Sequence, residues 1–162
     1  LIIGFTNSVN ITDGMDGLAG GILMITLFGF WFLSASILDT PLSIFIALWI
    51  GSLIAFLYFN VYPARIFMGD VGAMSFGATL AVVGLLLGKI VALIVMGAPF
   101  IITGLSSFVQ IGSKKIFGKR ILPVAPLHYW LLKNGWSEPK IVTRAWLASI
   151  MIVIFGVWLA LI

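Results

Sequence analysis

Five apolar stretches constrain the fold more than any other feature: residues 21–38, 42–59, 73–88, 90–111 and 145–162. Each approaches the roughly 20 residues that a helix needs to cross a bilayer. None alternates polar and apolar residues with the period of two that a membrane barrel strand shows. Lipid offers no partner for a free backbone N–H or C=O, so these stretches predict helices. Composition agrees. Hydrophobic residues make up 62% of the chain and charged residues 9%, against about 25% charged in a soluble domain. That leaves too little polar surface to cover a water-soluble globule, and the same arithmetic excludes disorder. There is no cysteine, so no disulfide scaffold. The fold class expected is all-α: a polytopic integral membrane protein of about five transmembrane helices, with 1–162 as a single transmembrane domain. The third stretch is short and abuts Lys89, which suggests a tilted or broken helix. Pro99 and Gly104 predict a kink or a loosening in the fourth.

Four polar segments precede or separate the spans: 6–17, 39–41, 61–72 and 112–144. Five alternating spans bring the first, third and fourth of these to one side. Arg65, Lys114, Lys115, Lys119, Arg120, Lys133, Lys140 and Arg144 fall on that side, and Lys89 alone falls on the other. The positive-inside bias makes the first side cytoplasmic. The chain opens on Leu1 with no charged leader before an apolar run, so no signal peptide is expected. It reads as an internal or C-terminal part of a longer protein. A net charge of +4 on so apolar a chain suggests phosphate-bearing partners and a membrane surface rather than nucleic acid.

Three polar constellations share the basic side. In the first, Asn7, Asn10, Asp13 and Asp16 recur every three residues, with Gly14, Gly17 and Gly20 in a parallel row. On a helix, neighbours three apart lie side by side, and glycines let a ligand approach the backbone. Carboxylates with amide oxygens beside them suit a hard cation and its phosphates. The competing reading is an N-capped helix start whose glycines serve packing. In the second, Asp70 stands between Gly69 and Gly72 at the mouth of the third span, with Phe67 and Tyr62 available to stack on a base. Its plainer reading is an interfacial loop with an aromatic belt. The third, 112–144, is a basic loop carrying His128, the only histidine. Its lysines read most simply as contacts to anionic headgroups. No H-E-x-x-H helix and no serine–histidine–acid order offers a rival chemistry. The residues together suggest metal-assisted phosphoryl transfer at the membrane surface.

These motifs resemble a known family. Thr6-Asn7-x-x-Asn10-x-Thr12-Asp13-Gly14-x-Asp16-Gly17-Leu18-Ala19 and Asn60-x-Tyr62-Pro63-Ala64-x-x-Phe67-Met68-Gly69-Asp70-x-Gly72 resemble two signatures of the polyprenyl-phosphate sugar-1-phosphate transferases. Pro126-Leu127-His128, with Lys133-x-Gly135-Trp136-x-Glu138-x-Lys140-Ile141-Val142-x-Arg144-x-Trp146, is similar to the phospho-N-acetylmuramoyl-pentapeptide transferase branch. The resemblance covers nearly the whole chain, as the C-terminal half of a member. It implies Mg²⁺-dependent transfer of phospho-N-acetylmuramoyl-pentapeptide from UDP to undecaprenyl phosphate. The products would be UMP and lipid I of peptidoglycan synthesis, made at the cytoplasmic face of the inner membrane by a multi-pass protein. It implies Asp70 and Asn10 at the metal. Asp13 and His128 join Asp70 as catalytic residues, and Phe67 stacks on the uracil. Gly14, Met15 and Asp16 line the uridine pocket, with Asn7 among the substrate-binding residues. A homodimer is a further implication.

Two departures stand out. Tyr129 and Trp130 replace the next two histidines of the family's motif. The family's paired aspartates, with a downstream lysine, lie N-terminal to the region present, so the chain alone is expected to lack activity. A UDP-N-acetylglucosamine donor, feeding a surface polysaccharide or teichoic acid, is the nearest alternative. A non-enzymatic transporter or assembly subunit is the alternative from another class, and it would need acidic residues in mid-span.

Overall fold

A computed structural model describes all 162 residues as eight helices and no strand. They are α1 (Ile2–Thr12), α2 (Leu18–Ser36), α3 (Thr40–Asn60), α4 (Gly69–Leu86), α5 (Ile90–Met96), α6 (Ala98–Phe117), α7 (Leu127–Lys133) and α8 (Glu138–Leu161). Four of them, α2, α3, α4 and α8, are long and apolar enough to cross a membrane. The pair α5 and α6, bent by 71°, is apolar enough when taken together to form a fifth, broken span or a re-entrant loop. The protein is therefore a polytopic membrane protein of the class its composition predicts.

The predicted kink falls at Gly97, two residues before Pro99. A proline disfavours helical backbone in the residue before it and removes one backbone donor, so the chain restarts with Pro99 in the first turn of α6. Gly104 loosens nothing. It lies within α6, and its missing side chain makes room for Ser8 of α1.

The basic segment 112–144 is far more helical than a loop. α6 runs on to Phe117, α7 occupies Leu127–Lys133, and α8 starts at Glu138 with Pro139 in its first turn. Conversely, 6–17 is not helical throughout. α1 stops at Thr12, and Asp13 to Gly17 form a break before α2. Gly14 and Gly17 are weak helix formers. Gly17 also takes φ 75°, a left-handed conformation that a side chain resists.

The core is built from α2, where Leu23, Leu27, Phe30 and Leu33 are sealed, and from facing residues such as Ile46, Leu53, Leu80, Met96 and Phe100. Many large apolar side chains point outward, among them Leu48, Val71, Leu86, Met151 and Ile154. On spanning helices such residues face hydrocarbon, where exposure carries no penalty.

α1 does not span. It is wedged between α4 and α6, and small residues set the spacing. A Cβ on Gly77 of α4 would lie 2.8 Å from the Phe5 carbonyl oxygen and 2.8 Å from Thr6 Cα. Both obstacles are backbone, so they cannot swing aside. α1 leads into Asp13, and α4 begins at Gly69–Asp70, so this contact fixes the distance between the two acidic segments. Gly77→Ala is expected to cost about 1–3 kcal/mol through overpacking. Gly51→Ala in α3, where a Cβ meets open space, is expected to be neutral or slightly stabilising. Melting curves of the two detergent-solubilised variants check the contrast.

Candidate active site

The break between α1 and α2 has little secondary structure to satisfy its backbone, so other parts of the chain do so. The Asp16 N–H donates to Glu138 Oε1 at the start of α8 (2.8 Å). The Gly17 N–H donates to Asn60 Oδ1 at the end of α3 (3.1 Å). Trp146 Nε1 of α8 donates to the Gly17 carbonyl (3.1 Å). The Tyr129 hydroxyl of α7 donates to the Gly14 carbonyl (3.0 Å). Asp16 in turn accepts the Ala64 N–H on Oδ2 (2.9 Å), and Asn60 Nδ2 donates to the Ile66 carbonyl (2.9 Å). The 61–68 segment is thereby held over the break.

A polar cavity of about 380 Å³ lies between these parts. Asn10, Asp13, Gly14, Met15 and Asp16 form one wall, and Asn60, Phe67, Gly69 and Asp70 form another. Tyr129 and Glu138 close it. Phe67 is 74% exposed, so its ring is open to stack against a planar ligand. Asp70 sits in the first turn of α4, where the helix N-terminus favours negative charge.

The electrostatics of the cavity are one-sided. Four carboxylates line it, those of Asp13, Asp16, Asp70 and Glu138, and no lysine or arginine does. Asp13 feels this most: burial, and then the charge of Asp70, raise its pKa from 3.8 to about 6. No three acidic or imidazole side chains converge as a ready-made metal cage. The donor set therefore fits a hard cation that takes one or two carboxylates and completes its shell with water and phosphate oxygens.

Two residues lie elsewhere than the spacing suggests. Asn7 does not line the cavity; its Nδ2 donates to the Ile3 carbonyl (2.8 Å), one turn back along α1. His128 does not line the cavity either, although its Nε2 edge lies against Gly14. It is buried, neither ring nitrogen has a partner, and burial lowers its pKa from 6.5 to about 4. It lines a second cavity, an apolar groove of about 280 Å³ between α2, α6, α7 and α8, with Thr12, Leu18, Ile22, Ile102, Trp136 and Arg144 among its walls. Adjacent residues of α7 thus face different media: His128 the apolar groove, Tyr129 the acidic cavity. The nearby cations are engaged elsewhere. Lys140 and Arg144 lie over the Trp136 ring at 4.8 and 4.5 Å, an attraction between charge and ring quadrupole.

Glu138, Asn60 and Tyr129 are site residues that spacing did not single out. Glu138 left a signal, as the one acid in the basic 112–144 segment. Asn60 opens the second of the two signatures, where it carries no assigned role.

Residues 1–88 match the sequence family described as glycosyl transferase family 4. Three curated relatives carry the name phospho-N-acetylmuramoyl-pentapeptide-transferase. The one from Vesicomyosocius okutanii subsp. Calyptogena okutanii is 40% identical over 171 residues, covering 96% of this chain and 47% of the relative. That of Leptospira biflexa serovar Patoc is 38% identical over 169 residues, covering 95% and 46%. That of Staphylococcus aureus strain bovine RF122 is 37% identical over 159 residues, covering 98% and 50%. The chain spans about half the length of the curated relatives it matches.

The two shifted groups pull stability in opposite directions. Asp13 binds its proton more tightly in the folded protein, so folding weakens as pH rises from about 4 to about 6. His128 is kept neutral by the fold, so folding weakens as pH falls from about 6.5 to about 4. Each slope has a ceiling of about 1.4 kcal/mol per pH unit, and partial exposure keeps that of Asp13 below it. Melting temperature is expected to change little across this window in the unmodified protein. In Asp13→Asn it should rise with pH, and in His128→Phe it should fall. Thermal melts at several pH values check both signs.

Proposed function

Because the chain belongs to glycosyl transferase family 4, we propose that it carries the acidic part of a phosphosugar transferase site. The reaction we assign is Mg²⁺-dependent transfer of phospho-N-acetylmuramoyl-pentapeptide from UDP to undecaprenyl phosphate. It would yield lipid I and UMP for peptidoglycan synthesis, at the cytoplasmic face of the inner membrane. The observation that carries this reading is the pairing of two unlike cavities. An acidic pocket without cations and an apolar groove lie on either side of α7. A water-soluble nucleotide sugar and a membrane-bound lipid phosphate need such neighbouring environments.

In this reading the acceptor's phosphate oxygen attacks the sugar-bearing phosphorus of the donor, and the bond to the UMP oxygen breaks. Asp70 and Asn10 hold Mg²⁺, with Asp13 beside them. The bound ion supplies charge neutralisation for the pyrophosphate and the leaving UMP. Phe67 stacks on the uracil, and Gly14, Met15 and Asp16 line the uridine. Leu18, Ile22 and Ile102 offer apolar wall to the polyprenyl chain. His128, neutral and buried, serves on the acceptor side of α7. Tyr129 and Trp130, where the family motif has histidines, favour testing a second donor, UDP-N-acetylglucosamine.

The test uses the native protein that carries this sequence, in detergent with undecaprenyl phosphate and Mg²⁺, and follows UMP release. UMP from UDP-N-acetylmuramoyl-pentapeptide alone supports the reading. UMP from UDP-N-acetylglucosamine alone moves the protein to the polysaccharide branch. UMP from neither donor, in folded protein, overturns the transferase reading. Asp70→Asn is expected to lower Mg²⁺-dependent turnover at least about a hundredfold, by analogy with metal-site losses, with an unchanged melting curve. Phe67→Ala is expected to raise the donor KM by about tenfold or more, since stacking on a base is worth about 1–3 kcal/mol. Steady-state kinetics read both.

A further inference from the structure

We propose that Tyr129 is a positioning residue of the acidic pocket. Its hydroxyl, donated to the Gly14 carbonyl, fixes the wall on which the nucleotide half of the donor docks. The inference rests on the nucleotide-sugar reading above, and it assigns a role to the residue where the sequence departs from the family's histidines.

The break has two ends, and they are held unequally. Its trailing end is tied several times over: Asp16 to Glu138 and Ala64, and Gly17 to Asn60 and Trp146. Its leading end, next to Asp13, has one tie from outside. The Gly14 N–H turns back on the Thr12 carbonyl (2.8 Å), and the Gly14 carbonyl accepts only the Tyr129 hydroxyl, from 115 residues away (3.0 Å). The fit at this point is close. A Cβ on Gly14 would lie 2.7 Å from His128 Nε2 and 3.1 Å from the Tyr129 hydroxyl oxygen. Glycine at 14 and the aromatic pair of α7 therefore form one contact.

Tyr129 is itself held in place. Its ring rests on that of His128, with centroids 4.6 Å apart and planes tilted by 52°, and His128 is buried beneath it. The other side of the Tyr129 ring lines the acidic pocket. The hydrogen bond thus acts at a ligand-bearing wall and not in a distant part of the fold. Loosening it lets the Gly14 edge drift away from the nucleotide. Asp70 on the opposite wall, Asn10 within α1 and Asp13, whose N–H bonds the Val9 and Asn10 carbonyls, keep their own supports. A phenol suits the task, because it carries an O–H donor at the end of a ring that packs on His128.

Tyr129→Phe tests this in the native protein, since it removes the hydroxyl and keeps the ring. Two quantities are read: kcat and KM for the UDP-linked donor, and the Kd of UMP with Mg²⁺ present. KM and the UMP Kd are expected to rise together by about three- to tenfold, the range for one lost hydrogen bond. The expected kcat stays within about twofold, and KM for undecaprenyl phosphate does not move. A merely structural role would lower apparent kcat through a smaller folded fraction and leave both constants unchanged, and that result overturns the proposal. Tyr129→Leu, which also removes the ring, should raise both constants further; constants equal to those of the unmodified protein count against the proposal as well. Failure of the wider reading looks different. A protein that releases no UMP from any donor, yet binds UMP and binds it more weakly in Tyr129→Phe, loses the transferase reading and keeps this one. A protein that binds no UMP loses both.

Discussion

The structure depends on a short interruption in helix. Between Thr12 and Leu18 the backbone leaves the helical path near the membrane surface, and its polar groups must find partners. They find them on α3, α7 and α8, through Asn60, Tyr129, Glu138 and Trp146. None of these partners is near in sequence. The bonds that satisfy the break therefore also gather the ends of three other helices around it. The missing side chain at Gly14 leaves room for His128 and Tyr129 of α7 to close against the break. The close approach of α1 to α4 at Gly77 then sets Asp13 against Asp70 across the cavity.

Charge separates the site from its surroundings. The carboxylates converge where no cation balances them. The cations of the same face are spread over the outside, as at Lys114, Lys115, Lys119 and Arg120, or lie on the Trp136 ring. A pocket of this kind repels itself when empty and attracts a divalent ion with its bound phosphates. The cations give the face a basic exterior, suited to anionic groups such as lipid headgroups.

Much of this was legible in the sequence. Apolar runs flanked by charge gave the spans, because lipid permits no other arrangement of backbone. Helix ends were harder, since they depend on which residue caps or breaks the helix. The bend lies at Gly97 and not at Pro99, and 112–144 hides α7 and the first turns of α8. The site divides in the same way. Asn10, Asp13, Gly14, Met15, Asp16, Phe67 and Asp70 all line one cavity, and their motifs pointed to them. Asn7 shares the spacing of that row yet bonds its own helix. His128 shares the face yet turns into apolar surroundings. Spacing assigns a residue to a helix, but the direction of its side chain is settled by packing from elsewhere in the chain. Glu138 stood out as the one acid of its basic segment, but its partner did not, because its contact with Asp16 joins residues 122 positions apart.

That separation also bears on how the protein is made. The acidic segment is among the first parts of this sequence to leave the ribosome, while Glu138 and Trp146 are among the last. At about 5–20 residues per second, several seconds pass between the emergence of the break and that of the side chains that hold it. Throughout that interval the Asp16–Gly17 end of the break lacks its bonds from Glu138 and Trp146. Insertion of α8 brings in the last of the bonds that hold the break. A nascent chain halted before Ser137 would carry the ties from Asn60, Ala64 and Tyr129 but neither of those from α8.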